Sequence, residues 1–99
     1  MKKLTIAVVL ALTISANVQA RTIETCKTIE GFAEEIMKAR QAGVSASEAY
    51  EAVQDSPILT PMVRAAYKLS AYNTEEYQEQ AVSEFKDDWF IICMDEVAP

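Results

Sequence analysis

Apolar residues near the start of the chain form one continuous block, and further along they recur at helical spacing. The block spans residues 4–14, follows Lys2 and Lys3, and leads into small residues that end at Ala20. Its length of about eleven residues falls short of the ~20 that a bilayer-spanning helix needs. This pattern predicts a cleavable export signal over residues 1–20, and its alternative is an uncleaved anchoring helix.

After the predicted signal, apolar positions recur every three or four residues, which is the period of an amphipathic α-helix. No stretch alternates apolar and polar residues for long enough to predict a strand. We therefore expect a single all-α domain over residues 21–99, a compact array of about four helices. Capping and helix-breaking residues give their bounds: residues 23–42 before Gly43, Ser45 to just before Asp55, Thr60 to about Tyr72–Asn73, and Thr74 onward.

The predicted helix starts rest on local chemistry. Residues 45–48 read Ser-Ala-Ser-Glu, the form of a capping box. Thr60 is expected to cap the third helix, with Pro61 at its first helical position. The Thr74 hydroxyl is expected to cap the fourth helix.

Two apolar stripes are expected to meet in the core. The first helix carries one stripe with Cys26 one turn earlier on the same face, and its members are Ile29, Ala33, Ile36, Met37 and Arg40. The fourth helix carries the other, which consists of Tyr77, Ala81, Phe85 and Trp89, widened by Val82 and Ile92. Both stripes have the spacing of a buried helix face.

The only two cysteines after the predicted signal, Cys26 and Cys93, lie near the two ends of the exported chain. In an oxidising compartment the simplest interpretation is one disulfide, although two free thiols or an intermolecular bridge are alternatives. The bond would close a loop of about 67 residues, worth roughly 4 kcal/mol in the chain-entropy model. It would join the first helix to the last as an antiparallel pair, at the edge of the core.

The charge of the chain restricts its partners. The formal net charge is −6, and loss of the two lysines with the signal would bring it to about −8. Negative surfaces repel phosphates and anionic headgroups, so we expect no nucleic-acid binding and no stable membrane anchor. A basic protein or a cationic ligand fits better, and the alternative is that the charge serves only solubility. The sequence does not indicate an oligomeric state.

Groups suited to catalysis are scarce. The chain has no histidine, so the commonest general base and metal ligand is missing. Adjacent carboxylates such as Glu34/Glu35 and Asp87/Asp88 point around a helix instead of into a shared cleft. No acidic calcium loop or glycine-rich phosphate loop is present. We therefore expect no enzymatic activity, no cofactor and no metal site.

The stretch from Ile36 to Ser45 reads I-M-K-A-R-Q-A-G-V-S. It resembles the I-M-x-x-R-Q-x-G-x-S stretch of small uncharacterised secreted proteins encoded by bacteria and their phages. The similarity continues through residues 65–67, 74–78 and 84–85 to the terminal Cys93. That family has no established activity, so the resemblance implies a helical domain with one disulfide and no catalytic residue.

Four polar residues are candidates for partner contact. The resemblance singles out Arg40 and Gln41, and the acidic load late in the fourth helix singles out Asp87 and Asp88. The alternative for Arg40 is that its stem packs across a helix interface and its guanidinium pairs with a nearby carboxylate.

Three functional hypotheses remain. The leading one is a non-catalytic periplasmic or secreted protein that binds another envelope protein through an acidic helical face. It would act as an inhibitor or exclusion factor and would be linked to phages. The alternative is a periplasmic acid-stress chaperone, which would open when its carboxylates become protonated. The third is a small-molecule carrier with an interhelical pocket, lined by Tyr50, Met62, Tyr67 and Tyr72.

Overall fold

The computed structural model describes the backbone of residues 2–97 and the side chains of residues 22–96. This part of the chain is all-helical. Its helices are α1 (Lys2–Gln41), α2 (Ala46–Ala52), α3 (Leu59–Tyr67) and α4 (Glu75–Val97). The expected all-α array of four helices closed by a Cys26–Cys93 disulfide is confirmed.

The first helix begins earlier than predicted. We expected a start near Ile23, whereas the backbone of α1 is helical from Lys2. No glycine or proline precedes Gly31, so nothing in the sequence breaks the helix there. The signal predicted over residues 1–20 and its cleavage position fall on side chains outside the described residues, so it stays a prediction.

An antiparallel pair of α1 and α4 organises the fold. The Cα atoms of Cys26 and Cys93 are 5.5 Å apart, and Lys86 Nζ lies 4.0 Å from Glu34 Oε2. A residue of α1 therefore faces a residue of α4 when their two residue numbers sum to about 120. This register places Val97, the last residue of α4, opposite about residue 23 of α1.

The core lies where α3 packs against this pair. Its buried members come from three helices: Ala33 and Met37, Met62 and Ala66, and Phe85. Ile29, Ile36, Ala81, Val82 and Trp89 pack against it as partly buried side chains. The core therefore confirms most of both predicted stripes.

Two residues of the α4 stripe are more exposed than predicted. Tyr77 is 55% exposed and Ile92 is 46% exposed. Tyr77 lies in the first turn of α4, opposite only the connection that follows α3, where its ring is 5.9 Å from that of Tyr72. Ile92 lies near the start of α3, where Pro57 and Ile58 form the far side of an open groove. The prediction that these two side chains belong to the core was wrong.

Local chemistry sets most of the helix ends as predicted. Gly43 adopts a φ of 87°, the left-handed conformation that ends α1. Glu48 N donates to Ser45 Oγ at 3.3 Å, and Tyr77 N donates to Thr74 Oγ1 at 3.3 Å. These bonds satisfy amide donors that the first turns of α2 and α4 would otherwise leave free.

The start of α3, predicted at Thr60, lies at Leu59, but the predicted capping residue was wrong. Leu59 N donates to Ser56 Oγ at 3.0 Å, and Thr60 N donates to the Ser56 carbonyl at 3.2 Å. Ser56, followed by Pro57, therefore caps the turn that leads into α3 at Leu59, whereas the expected cap was Thr60 followed by Pro61. Ser56-Pro57 and Thr60-Pro61 each consist of a good capping residue followed by proline, so the sequence alone does not distinguish between them. The helix also ends at Tyr67, before the predicted break near Tyr72.

The disulfide should contribute much of the stability of a chain this small. Changing both Cys26 and Cys93 to serine should lower the free energy of unfolding by about 2–4 kcal/mol, because the unfolded chain regains its loop entropy. Far-UV circular dichroism should still show native helix content without denaturant. Urea unfolding of the variant, the oxidised protein and the reduced protein measures this. Equal midpoints for all three would contradict the prediction.

Candidate functional site

The negative charge of the protein is concentrated on one helix. The sequence of α4 contains eight carboxylates and one lysine, a formal balance of −7, against −6 for the whole chain. All eight carboxylate residues are exposed. They are Glu75, Glu76, Glu79, Glu84, Asp87, Asp88, Asp95 and Glu96. We call this set the acidic surface of α4.

The acidic surface of α4 has no ion-pair partner among the described side chains. Lys38 Nζ lies 3.1 Å from Glu34 Oε1 and 3.8 Å from Glu35 Oε1, all within α1. Lys86, the one lysine of α4, approaches Glu34 of α1 as well. The nearby cations are therefore directed toward α1, and the carboxylates of α4 are left facing solvent.

Glu34 is the electrostatic link between α1 and α4. The hydrogen bond from Lys38, with the positive charges of Lys38 and Lys86, lowers the pKa of the Glu34 carboxyl. The same hydrogen bond, with the Glu34 charge, raises the pKa of Lys38. Glu34 and Lys86 are partly exposed and Lys38 is exposed, so this link is weak compared with the core and the disulfide.

Two grooves lie on one side of α4. The first, with a volume of about 470 Å³, lies between α4 and the connection after α3, and is lined by Leu69, Tyr72, Tyr77, Glu84 and Asp88 among others. We call it the tyrosine groove. The second, of about 260 Å³, lies between α4 and the start of α3, and is lined mainly by Pro57, Ile58, Pro61, Trp89, Ile92, Cys93 and Glu96. We call it the disulfide groove.

The two grooves follow each other along α4. The tyrosine groove extends to Asp88, and the disulfide groove continues one turn later at Ile92. Residues four apart lie on the same helix face. The opposite wall comes from the two ends of α3, which runs antiparallel to α4. The two grooves share no lining residue but follow each other along α4, and together we call them the α3–α4 surface.

Gln41 holds the far wall of the tyrosine groove in place. Its side chain is buried, with 9% exposed, and Gln41 Nε2 donates to the Ser70 carbonyl at 2.8 Å. Tyr72 N donates to Gln41 Oε1 at 2.8 Å. One amide thus satisfies both a donor and an acceptor of the connection between α3 and α4.

Arg40 holds the same connection from its other end. Arg40 Nε and Nη2 donate to the Leu69 carbonyl at 3.0 and 2.9 Å. The guanidinium carbon lies 5.1 Å from the centre of the Tyr67 ring, within the range of a cation–π contact. The expectation of a carboxylate partner was wrong: Arg40 binds a backbone carbonyl and an aromatic face.

Tyr67 completes this arrangement beneath Arg40. Its hydroxyl donates to the Val44 carbonyl at 2.7 Å, and burial raises the pKa of that hydroxyl. The Arg-Gln pair is therefore engaged within the fold and shapes the tyrosine groove. A direct partner contact for Arg40 and Gln41 stays a prediction.

The structure separates the other two candidate residues. Asp88 lines the tyrosine groove beside Glu84. Asp87 is exposed, but it lines neither groove. Adjacent residues on a helix point about 100° apart, and this rotation takes Asp87 away from the linings of both grooves. Only Asp88 belongs to the α3–α4 surface.

The four residues expected to line a carrier pocket are not brought together. Met62 is fully buried in the core, and Tyr67 is held against Val44. Tyr50 lines a groove beside the connection from α2 to α3, whereas Tyr72 lines the tyrosine groove. Nothing in the described part of the chain forms the shared interhelical pocket that this hypothesis needs.

Sequence reasoning missed Pro57 and Ile58 as surface-forming residues. They lie in the turn that begins α3, because Ser56 and not Thr60 is the capping residue. The Ser-Pro dipeptide was the available signal. Leu69 was missed as well, since its position depends on Arg40, which is 29 residues distant in sequence.

Within residues 22–96, no group of three or more histidine, cysteine, aspartate or glutamate side chains could hold a metal ion. None of the described helices is both long and apolar enough to cross a membrane. No family model, curated protein or solved structure matches the chain. The resemblance to small secreted proteins of bacteria and phages therefore stays a prediction.

Replacing Gln41 by alanine should destabilise the fold by about 1–3 kcal/mol, because Tyr72 N and the Ser70 carbonyl each lose a partly buried partner. Gln80→Ala is the matched control, since Gln80 is exposed and bonds only to Glu84 within its own helix. It should change stability by less than about 0.5 kcal/mol. Urea unfolding of both variants measures the difference, and equal losses would contradict the structural role of Gln41.

The link through Glu34 should depend on pH. Because the folded pKa of Glu34 lies below its ordinary value of 4.5, its stabilising effect is present above pH 4.5 and is lost as the pH falls through the folded pKa. Because the folded pKa of Lys38 lies above 10.5, its effect is lost as the pH rises through that value. The Glu34→Gln variant should therefore have a lower melting temperature than wild type at pH 7, and the same melting temperature as wild type at pH 2.

Thermal unfolding of the Glu34→Gln variant at both pH values tests this dependence. Glu24→Gln is the control, because Glu24 forms no ion pair among the described side chains. A Glu34→Gln effect of the same size at pH 2 and pH 7 would show that the carboxylate does not act through its charge.

Proposed function

We propose that this chain is an exported, non-catalytic protein that binds a positively charged protein of the cell envelope through the acidic surface of α4. The observation that carries the proposal is the set of eight exposed carboxylates on one helix, with no ion-pair partner among the described side chains. A protein with basic residues in the matching pattern would supply the missing counter-charges.

This arrangement is unfavourable for α4 on its own. Glu75 and Glu79, and likewise Glu84 and Asp88, are four residues apart, and like charges at that spacing destabilise a helix by about 0.2–0.5 kcal/mol per pair. Asp95 and Glu96 lie near its C-terminal end, where the helix dipole disfavours negative charge. Solubility alone is served as well by interspersed charges of both signs. A cationic partner explains why all these carboxylates share one helix.

Export is supported by the disulfide. Disulfides such as Cys26–Cys93 persist mainly in oxidising compartments outside the cytoplasm. A binder of this kind acts by covering a surface of its partner, as an inhibitor or exclusion factor does. The phage link rests on the sequence resemblance.

The proposal is tested by neutralising α4 without changing side-chain shape. A variant with Glu84→Gln, Asp87→Asn, Asp88→Asn and Asp95→Asn loses four negative charges from α4. The control loses four elsewhere, through Glu24→Gln, Glu30→Gln, Glu48→Gln and Glu51→Gln. Each oxidised protein is immobilised and exposed to periplasmic extract at low salt and at about 0.3 M salt, where exposed charges are screened within a few ångströms.

Wild type and control should retain the same basic protein at low salt and release it at high salt. The α4 variant should retain at least about tenfold less, because each rim charge contributes to association. Absence of any retained partner at low salt, or equal loss in both variants, would overturn the proposal. Melting curves of both variants establish that each remains folded.

A further inference from the structure

The exposed apolar side chains of this protein are unevenly distributed. Eight large apolar side chains are exposed among the described residues. Five of them line the α3–α4 surface: Leu69, Tyr72 and Tyr77 in the tyrosine groove, and Ile58 and Ile92 in the disulfide groove. Half-exposed apolar residues gathered on one surface, with polar groups beside them, are typical of a docking site.

The spacing of the two grooves defines the shape of the ligand. Tyr77 and Ile92 are fifteen positions apart on α4, which corresponds to about 22 Å along the helix axis. Because the surface lies between two antiparallel helices, it fits another helix laid along it. A helix that reaches both grooves needs about fifteen residues, with apolar side chains near its two ends.

The charges along this surface define the chemistry of the ligand. Glu84 and Asp88 line the tyrosine groove and Glu96 lines the disulfide groove, whereas Lys68 is the one cation in either lining. A helix with lysine or arginine beside its apolar residues would meet these carboxylates. A second copy of this chain is disfavoured, because its own exposed α4 has the same negative charge. Anionic lipid is disfavoured for the same reason.

We propose that the α3–α4 surface binds a basic amphipathic helix of the partner protein. Apolar side chains of that helix fill the tyrosine and disulfide grooves, and its basic side chains lie against Glu84, Asp88 and Glu96. This inference rests on the proposed function and specifies the kind of partner segment that is recognised. Arg40 and Gln41 act indirectly, since they hold Leu69 and Tyr72 in the wall of the tyrosine groove.

The probe is a synthetic eighteen-residue peptide of lysine, alanine and leucine, with leucines confined to one helix face near its two ends. A scrambled peptide of the same composition, in which the leucines share no face, is the control. Trp89 is the single tryptophan and lines the disulfide groove, so its emission should shift to shorter wavelength when leucine covers it. The amphipathic peptide should bind at least about tenfold more tightly than the scrambled one.

Neighbouring residues of α4 provide matched variants. Ile92→Ser and Asp88→Asn change the α3–α4 surface, whereas Ile91→Ser and Asp87→Asn change equally exposed residues that line neither groove. Fluorescence anisotropy of a labelled peptide measures binding to each. We expect the first two variants to weaken binding about five- to tenfold, and the second two to change it less than about twofold. Thermal unfolding verifies that all four are folded.

The outcomes separate this inference from the proposed function. Equal binding of the scrambled peptide, or equal loss in Asp87→Asn and Asp88→Asn, would show that attraction is diffuse, which overturns the helix-docking inference and leaves the proposed function standing. No binding of either peptide would also overturn this inference. The proposed function itself is decided by the capture of a basic envelope protein with the α4-neutralised variant and its control.

Discussion

The antiparallel pairing of α1 with α4, covalently fixed by Cys26–Cys93, is the constraint on which the rest of the structure depends. It brings Ala33 and Met37 together with Phe85 and creates the apolar strip on which α3 packs. It also determines which side of α4 faces solvent. A core of eight buried apolar residues among the described residues is small, so a bond that limits the unfolded chain contributes a large share of the net stability.

Polar contacts then convert this packed pair into a shaped surface. Arg40 and Gln41 end α1 and bind the backbone of the connection after α3, so the tyrosine groove has a defined wall although it is made largely of loop. Ser56 does the equivalent at the other end, because it caps the turn that leads into α3 and so holds Pro57 and Ile58 in place. The disulfide groove follows from that position.

The sequence was most informative where a structure depends on neighbouring residues. Gly43, Ser45 and Thr74 act as predicted, because caps and left-handed turns involve chain segments of only a few residues. The disulfide could be predicted because only two cysteines were available. The exposure of Tyr77 and Ile92 could not be predicted, because it depends on the position of α3, which is distant in the sequence. The contact of Arg40 with the Leu69 carbonyl could not be predicted for the same reason. Because the sequence does not distinguish Ser56 from Thr60 as the capping residue, it did not predict the disulfide groove, which is one of the two grooves of the candidate site.

In the proposed complex, the disulfide-fixed pair of α1 and α4 presents the α3–α4 surface to a basic helix. The decisive measurement is backbone amide NMR of the oxidised protein during titration with the amphipathic lysine–leucine peptide. Chemical-shift changes are expected at residues 57–61, at residues 68–72 and along the groove side of α4. Changes concentrated on α1 and α2, or around Asp87 and Ile91, would contradict the proposed complex.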